Sequence, residues 1–417
     1  MSQLIRNTKH NSFLRRYFVP EVLIVVLLFS VELTAYLDVL LPRSVSQSIL
    51  FGVVMAAMFI YARTHRPRLA MKNPFWIFLW IYELFLFLRL YVDFVLQNKG
   101  FFLYQSPIAI MIFFVCTIFI PSVFFCFYTV RFDVLAIVRL LSVIVAVCVS
   151  KSIYDIISGN AILHPDGRFI TAIFSIALGQ YSVSLFLIGV YLLSLKVSKP
   201  LENVWPILCV LIGLAGVAFS GSRGPIIALA VCFIALIIAN SKKISSTLIA
   251  LSIILFILIF AKGAMIDLNE WMMDNGFFAF NRVVKSVFAE DGLANHSSGR
   301  DELYEEAIRL FLDNPFFGNS FLIPNKIYVH NFLIEQFMAT GMFGGLIFCG
   351  INIYALIIGF RLMRSDKTFA IIPVLLLQYF IYGCLSITVI ALFPYWITLL
   401  MTVNRYSAVN SRKLIIR

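Results

Sequence analysis

The sequence predicts an all-α polytopic membrane protein with about 12 transmembrane helices, a single integral membrane domain over residues 1–417. Three observations predict it. Of 417 residues, 61% are hydrophobic and 13% charged, with mean hydropathy +0.95. Apolar runs of roughly 17 to 25 residues recur along the whole length, each able to cross a ~30 Å hydrocarbon core. The bases are also sorted by side. With runs at 18–39, 47–62, 75–93, 105–128, 135–154, 174–195, 204–220, 225–240, 246–262, 331–360, 368–386 and 388–403, every second connection becomes cytoplasmic. Those connections hold 20 of the 33 Lys and Arg, as the positive-inside rule requires. The +12 formal charge is therefore topological and does not indicate nucleic acid as a partner.

Taken in order, the first run follows Arg15 and Arg16. A retained, anchored first span fits better than a twin-arginine signal, because no small-residue cleavage site follows. The third run carries Glu83, Arg89 and Asp93, and the last two, four apart on a helix, can pair with each other. Arg139, near a cytoplasmic end, is expected to snorkel. The fifth and sixth runs enclose an external loop at 155–173. An even count places both basic termini in the cytoplasm. All seven cysteines fall inside apolar runs, so no disulfide or zinc site is expected.

The segment 263–330 has the composition of a soluble loop. It contains ten acids, from Asp267 to Asp313, which outnumber its bases. Within it, "SSGRDELYEEAIRLFLDNPFFGNS" predicts an amphipathic helix on the outer face of the bundle. Ser298 and Asp301 form an N-terminal capping pattern. Leu303, Ala307 and Leu310 make an apolar stripe that Ile308 and Phe311 widen. Pro315 and Gly318 end the helix.

Chemistry concentrates at the external span ends. In "FSGSRGPII", Pro225 is placed at the first position of a descending helix. Gly221 and Gly224 leave the backbone bare, Ser222 and Arg223 lie between them, and the helix N-terminus adds unpaired N–H groups. This is an anion site suited to phosphate; a hairpin whose arginine snorkels fits the same residues. Arg300 stands in the first turn of the loop helix, where a cation opposes the helix dipole, so either an ion pair or a ligand is expected beside it. His330 and Asn331 stand at the mouth of a late span, where a histidine can take a proton from a hydroxyl or simply bond a loop carbonyl. Glu335 lies inside that span, and ionisable groups there face the bundle interior, as function or as an arginine's partner. Arg168, in "HPDGRFIT", either joins the anion site or anchors the sixth span. The chain has no G-x-x-x-x-G-K-[ST] loop and no Asp-x-Asp pair, which excludes an ATP-driven pump within this chain and disfavours metal-held nucleotide-sugar chemistry.

Together, "S-x-S-R-G" at Ser220–Gly224, "S-G-R" at Ser298–Arg300, "N-P-x-x-G" at Asn314–Gly318 and "H-N-x-x-x-E-x-x-x-x-x-G-x-x-G" from His330 through Gly344 resemble the O-antigen ligase and polymerase superfamily, across about residues 155–360. The resemblance implies a bacterial inner-membrane glycosyltransferase of the GT-C type with a periplasmic active site. Such an enzyme takes a glycan from undecaprenyl diphosphate, needs no metal or other cofactor, and passes the glycan to an acceptor glycolipid hydroxyl. The acceptor is another lipid-linked repeat unit in a polymerase and lipid A core in a ligase. Chain-length regulators or flippases are partners the resemblance allows. Its catalytic residues carry over to Arg223, Arg300 and His330, with Arg168, Ser222, Gly224, Asn331 and Glu335 expected at the substrates. The short approach to His330 and the spacing Arg168-x10-Gly179 are the polymerase-like features. A transporter of lipid-linked oligosaccharide is the competing class. It would place its charges mid-bundle at broken helices.

Overall fold

In the computed structural model, each apolar run whose residues are described forms a helix. The structure describes residues 19–31, 33, 43–65, 73–99, 107–163, 169–171, 175–195, 203–240, 270, 273–274, 300–324 and 328–415. The helices are α1 (Pro20–Phe29), α2 (Arg43–Thr64), α3 (Phe75–Leu90), α4 (Pro107–Phe114), α5 (Ile120–Phe127), α6 (Val134–Ile157), α7 (Ser175–Ser194), α8 (Val204–Ser220), α9 (Arg223–Asn240), α10 (Arg300–Asp313), α11 (Phe332–Ser365), α12 (Ile371–Leu385) and α13 (Phe393–Ile415). A π-helical turn, Tyr91–Leu96, extends α3, and another, Val115–Phe119, joins α4 to α5. The loop after α6 contributes a two-residue antiparallel ladder, Ile162–Leu163 with Phe169–Ile170. Among the described residues, six helical stretches are long and apolar enough to cross a membrane, and four shorter apolar helices accompany them. The expected span 246–262, most of the segment 263–299 and both extreme termini lie outside the described residues.

Small residues let the inner helices approach closely, as packing within lipid requires. A Cβ on Gly216 would come within 2.2 Å of Ser182 Oγ, and one on Gly213 within 2.8 Å of the Ser182 carbonyl, so α8 lies directly on α7. Gly189 of α7 has the reciprocal contact with Pro206 O, at 2.8 Å.

Helix α11 is broken at Gly341, whose φ of 67° and ψ of −166° are open only to glycine. The loop that ends α10 fills the break. Met342 N donates to Pro315 O (2.7 Å) and Asn319 N donates to Met338 O (2.9 Å). Gly318, at φ 76°, lies so close that its Cβ would sit 2.3 Å from Ala339 O, while a Cβ on Gly341 would sit 2.3 Å from Phe316 O. Two motif glycines therefore interlock, and the backbone groups freed by the break find partners in the loop, as burial in lipid demands.

The same loop is clamped to α3. Arg89 donates to Asn319 O (2.6 Å) and Gly318 O (3.0 Å), while Asp93 accepts from Phe321 N (2.6 Å) and Lys99 Nζ (3.0 Å). The expected pairing of Arg89 with Asp93 is present at 3.6 Å but is the weaker part of their role. Glu83 is buried and accepts from Ser122 Oγ at 2.8 Å.

Contacts at the opposite end join segments expected on the cytoplasmic side. Asn73 Nδ2 donates to Tyr354 Oη, Asn404 Nδ2 to Tyr128 O, Tyr191 Oη to Thr368 O, and Arg405 Nε to Asp366. Helix α10 packs Ala307, Leu310 and Leu303 inward, with Val329 and Met338, as its stripe predicts. Ile308 does not widen that stripe: it is exposed, because it falls on the far side of a helix that touches the bundle along a narrow seam.

Candidate functional site

Arg223 is the first residue of α9, two positions earlier than the sequence placed the helix start. Pro225 is thus the third residue, still within the first turn, where its missing N–H leaves no bond unmade. Gly221 closes α8 in the left-handed conformation at φ 59°, the usual role of a C-terminal glycine. Ser222 links the helices, and its N–H faces Ser220 Oγ at 3.4 Å. The turn is seated on α7 through Gly179, where a Cβ would strike Pro225 Cγ at 2.4 Å. Gly224 is less confined: a Cβ there would meet Leu385 Cδ1 at 3.7 Å and Gln180 Nε2 at 3.8 Å, ordinary contact distances.

Arg300 is likewise the first residue of its helix. Its Nη1 donates to Leu385 O (2.5 Å), the last residue of α12. The guanidinium that opposes its own helix dipole therefore neutralises the carboxyl end of another.

His330 has φ 60°, rare for a residue with a Cβ and a sign of backbone held by its surroundings. Its Nδ1 lies 3.2 Å from Ser386 O. A carbonyl only accepts, so Nδ1 is the donor, and whenever the ring is neutral its lone pair lies on Nε2. Tyr328 stacks at a tilt on the imidazole, 4.2 Å between centroids, and its hydroxyl reaches the same carbonyl at 3.5 Å.

The next two motif residues hold structure in place. Asn331 caps α11, its Oδ1 accepting from Leu333 N (3.0 Å) and Ile334 N (3.3 Å). Glu335 is fully buried, and no arginine is its partner among the described contacts. Its Oε1 accepts from Val389 N (3.0 Å) and Gln336 Nε2 (3.1 Å), and Gln336 in turn accepts from Tyr82 Oη at 2.9 Å.

These contacts share a target, the end of α12 and the short connector to α13, which holds a single 3-10 turn at Val389–Ala391. Arg300 holds Leu385 O, His330 holds Ser386 O, Glu335 holds Val389 N, and Trp396 Nε1 donates to Val389 O at 2.9 Å. Backbone groups between helices need partners when buried, and the motif residues supply them here. Arg168 lies outside the described residues. The structure thus brings together the Arg223 turn, Arg300, His330 and Glu335. Sequence reading missed the connector and also Gln180; a lone glutamine in an apolar run was the available signal for the latter. Among the described residues, no group of three or more His, Cys, Asp or Glu is placed to hold a metal ion. The break in α11 is filled by the loop from α10.

The described helices thus gather cations and a histidine at one end of a many-helix membrane protein. The family model described as O-antigen ligase matches residues 208–349, from α8 into α11, and supports the O-antigen ligase/polymerase superfamily and its type of function. No curated protein matches the chain.

Proposed function

We propose that the chain is an O-antigen polymerase-type glycosyltransferase of the inner membrane, working at its periplasmic face without a metal. In this reading it moves a glycan from undecaprenyl diphosphate to a hydroxyl of another lipid-linked repeat unit. The observation that carries the reading is the convergence of three motif segments, distant in sequence, on the end of α12: Arg300 and His330 bond its terminal carbonyls, and the Arg223 turn lies against Leu385.

The chemistry follows from the residue types. The acceptor oxygen attacks the anomeric carbon and its proton passes to His330 Nε2. The bond from that carbon to the diphosphate oxygen breaks, and undecaprenyl diphosphate leaves with the electron pair. Charge grows on the leaving group, where fixed cations in a poorly solvated setting help most. Arg223, the N-terminus of α9 and Arg300 supply them, with arginine's planar fork suited to phosphate oxygens. The Ser386 carbonyl holds the imidazole in the tautomer that can accept a proton. Asn331 and Glu335 act through position: one starts the helix that carries the histidine, the other fixes the connector that orients it.

Deletion of the gene, read on a lipopolysaccharide gel, tests the reading. Core bearing a single repeat unit is the polymerase result. Bare core with accumulated lipid-linked polymer indicates a ligase, and an unchanged ladder removes both.

A further inference from the structure

Gln180 of α7 is 1% exposed. Its side chain is oriented by polar neighbours from α12. Gln378 Nε2 donates to the Gln180 backbone carbonyl (2.6 Å) and faces its Oε1 at 3.4 Å. Ser184 Oγ donates to Gln378 Oε1 (3.0 Å) and lies 2.7 Å from Tyr379 Oη. With its oxygen turned to Gln378, the amide directs Nε2 the other way. That nitrogen is buried, has no hydrogen-bond partner among the described residues, and lies 3.8 Å from where a Cβ on Gly224 would stand.

An unsatisfied buried donor is destabilising, and such groups call for an explanation. Here the donor is aimed at the first turn of α9, beside Arg223, where the helix offers unpaired N–H groups and its positive end. Donor nitrogen, helix terminus and guanidinium all suit an anion. Leu385 covers the spot, with its Cδ1 at 3.7 Å from the same Cβ position, and its carbonyl is the one Arg300 holds.

We propose that Gln180 is a further binding residue for the donor's diphosphate, giving an Nε2 hydrogen bond to a phosphate oxygen when the Leu385 side chain turns aside. The proposal rests on reading the Arg223 turn as the diphosphate site. The Gln378–Ser184–Tyr379 chain keeps the amide from flipping, so the donor faces the ligand and the acceptor does not. Gly224 fits this role because any side chain there would stand between Gln180 and the anion.

The test uses the full chain, purified and returned to lipid vesicles, with binding of undecaprenyl diphosphate measured for the unaltered protein, Gln180→Met and Arg223→Ala. Methionine keeps length and volume and removes the donor. The expected result is roughly a tenfold or greater loss of affinity in Gln180→Met, the scale of a hydrogen bond to a charged group, with an unchanged melting temperature without ligand. In turnover, the loss falls on KM for the lipid-linked donor, and KM for the acceptor stays. Inorganic diphosphate is the second probe. A parallel loss there places recognition in the diphosphate and upholds the role; a loss with the lipid alone, with inorganic diphosphate bound as before, overturns the phosphate contact. Should Gln180→Met melt early, Gln180→Glu, which keeps an oxygen toward Gln378 and sets a carboxyl against the phosphate, must weaken binding at least as much. Full affinity in the folded Gln180 variant alongside a loss in Arg223→Ala overturns the inference alone. Full affinity in Arg223→Ala overturns the underlying site.

Discussion

Replacing Gly341 by alanine tests how the histidine-bearing segment is held. The new Cβ meets two obstacles. At φ 67° and ψ −166° a side chain is strained, by about 1–3 kcal/mol. It would also stand 2.3 Å from Phe316 O and 2.4 Å from Phe316 C, backbone atoms that cannot rotate away. The loop must move, which endangers the bonds from Met342 N to Pro315 O (2.7 Å) and from Asn319 N to Met338 O (2.9 Å). Each buried amide left without a partner costs about 1–3 kcal/mol, so the strain and the loss of one of these bonds should together destabilise by roughly 2–6 kcal/mol. The assay is thermal unfolding of the purified protein in detergent, followed by tryptophan fluorescence. A second alanine at Gly318 attacks the same contact from the other side. The pair should therefore cost clearly less than the sum of the singles. A Gly341→Ala protein that melts like the original, or two losses that simply add, would refute the interlock.

Other outcomes follow from the same geometry. Arg223→Ala, Arg300→Ala and His330→Ala should each abolish glycan assembly with the protein still in the membrane by immunoblot; full activity in any two would sink the site. A chelator should leave purified turnover unchanged, and loss restored by a divalent ion would refute the metal-free mechanism. Asn331→Ala removes a helix cap and should lower stability by about 0.5–2 kcal/mol, measured by the same unfolding assay. Asp366 titrates lower than usual: burial raises it, but bonds from Arg405 and Thr368 lower it more. A depressed carboxylate stabilises the folded state above its unfolded pKa and loses that contribution as pH falls through its folded pKa. Arg405→Gln should thus melt lower at neutral pH, with the gap closing in acid below about pH 4; a gap that persists there would contradict the pairing.

The spans were legible because hydropathy reports the lipid directly, and α8 begins and ends where its apolar run does. The site was legible as motifs and not as contacts. Arg300 could be read as a cation misplaced on its own helix, but the helix it serves, α12, begins 71 positions later in the chain. Gly318 and Gly341 each stand in a motif, yet nothing local says that each leaves room for the other's backbone. Arg89 and Asp93 looked self-sufficient at a spacing of four, whereas their stronger bonds go to a loop more than 220 residues away. Glu335 was recognised as buried and purposeful; its partner, the Val389 N–H, could not be foreseen because backbone donors have no signature in sequence.

The most direct test of the central claim follows lipid products from vesicles holding the purified protein and an undecaprenyl-diphosphate-linked repeat unit. Mass spectrometry should show undecaprenyl diphosphate released in step with a lipid-linked glycan longer by one repeat, and neither product with His330→Ala. Repeat units that cross the bilayer unchanged, with no undecaprenyl diphosphate released, would contradict the account and make the protein a carrier.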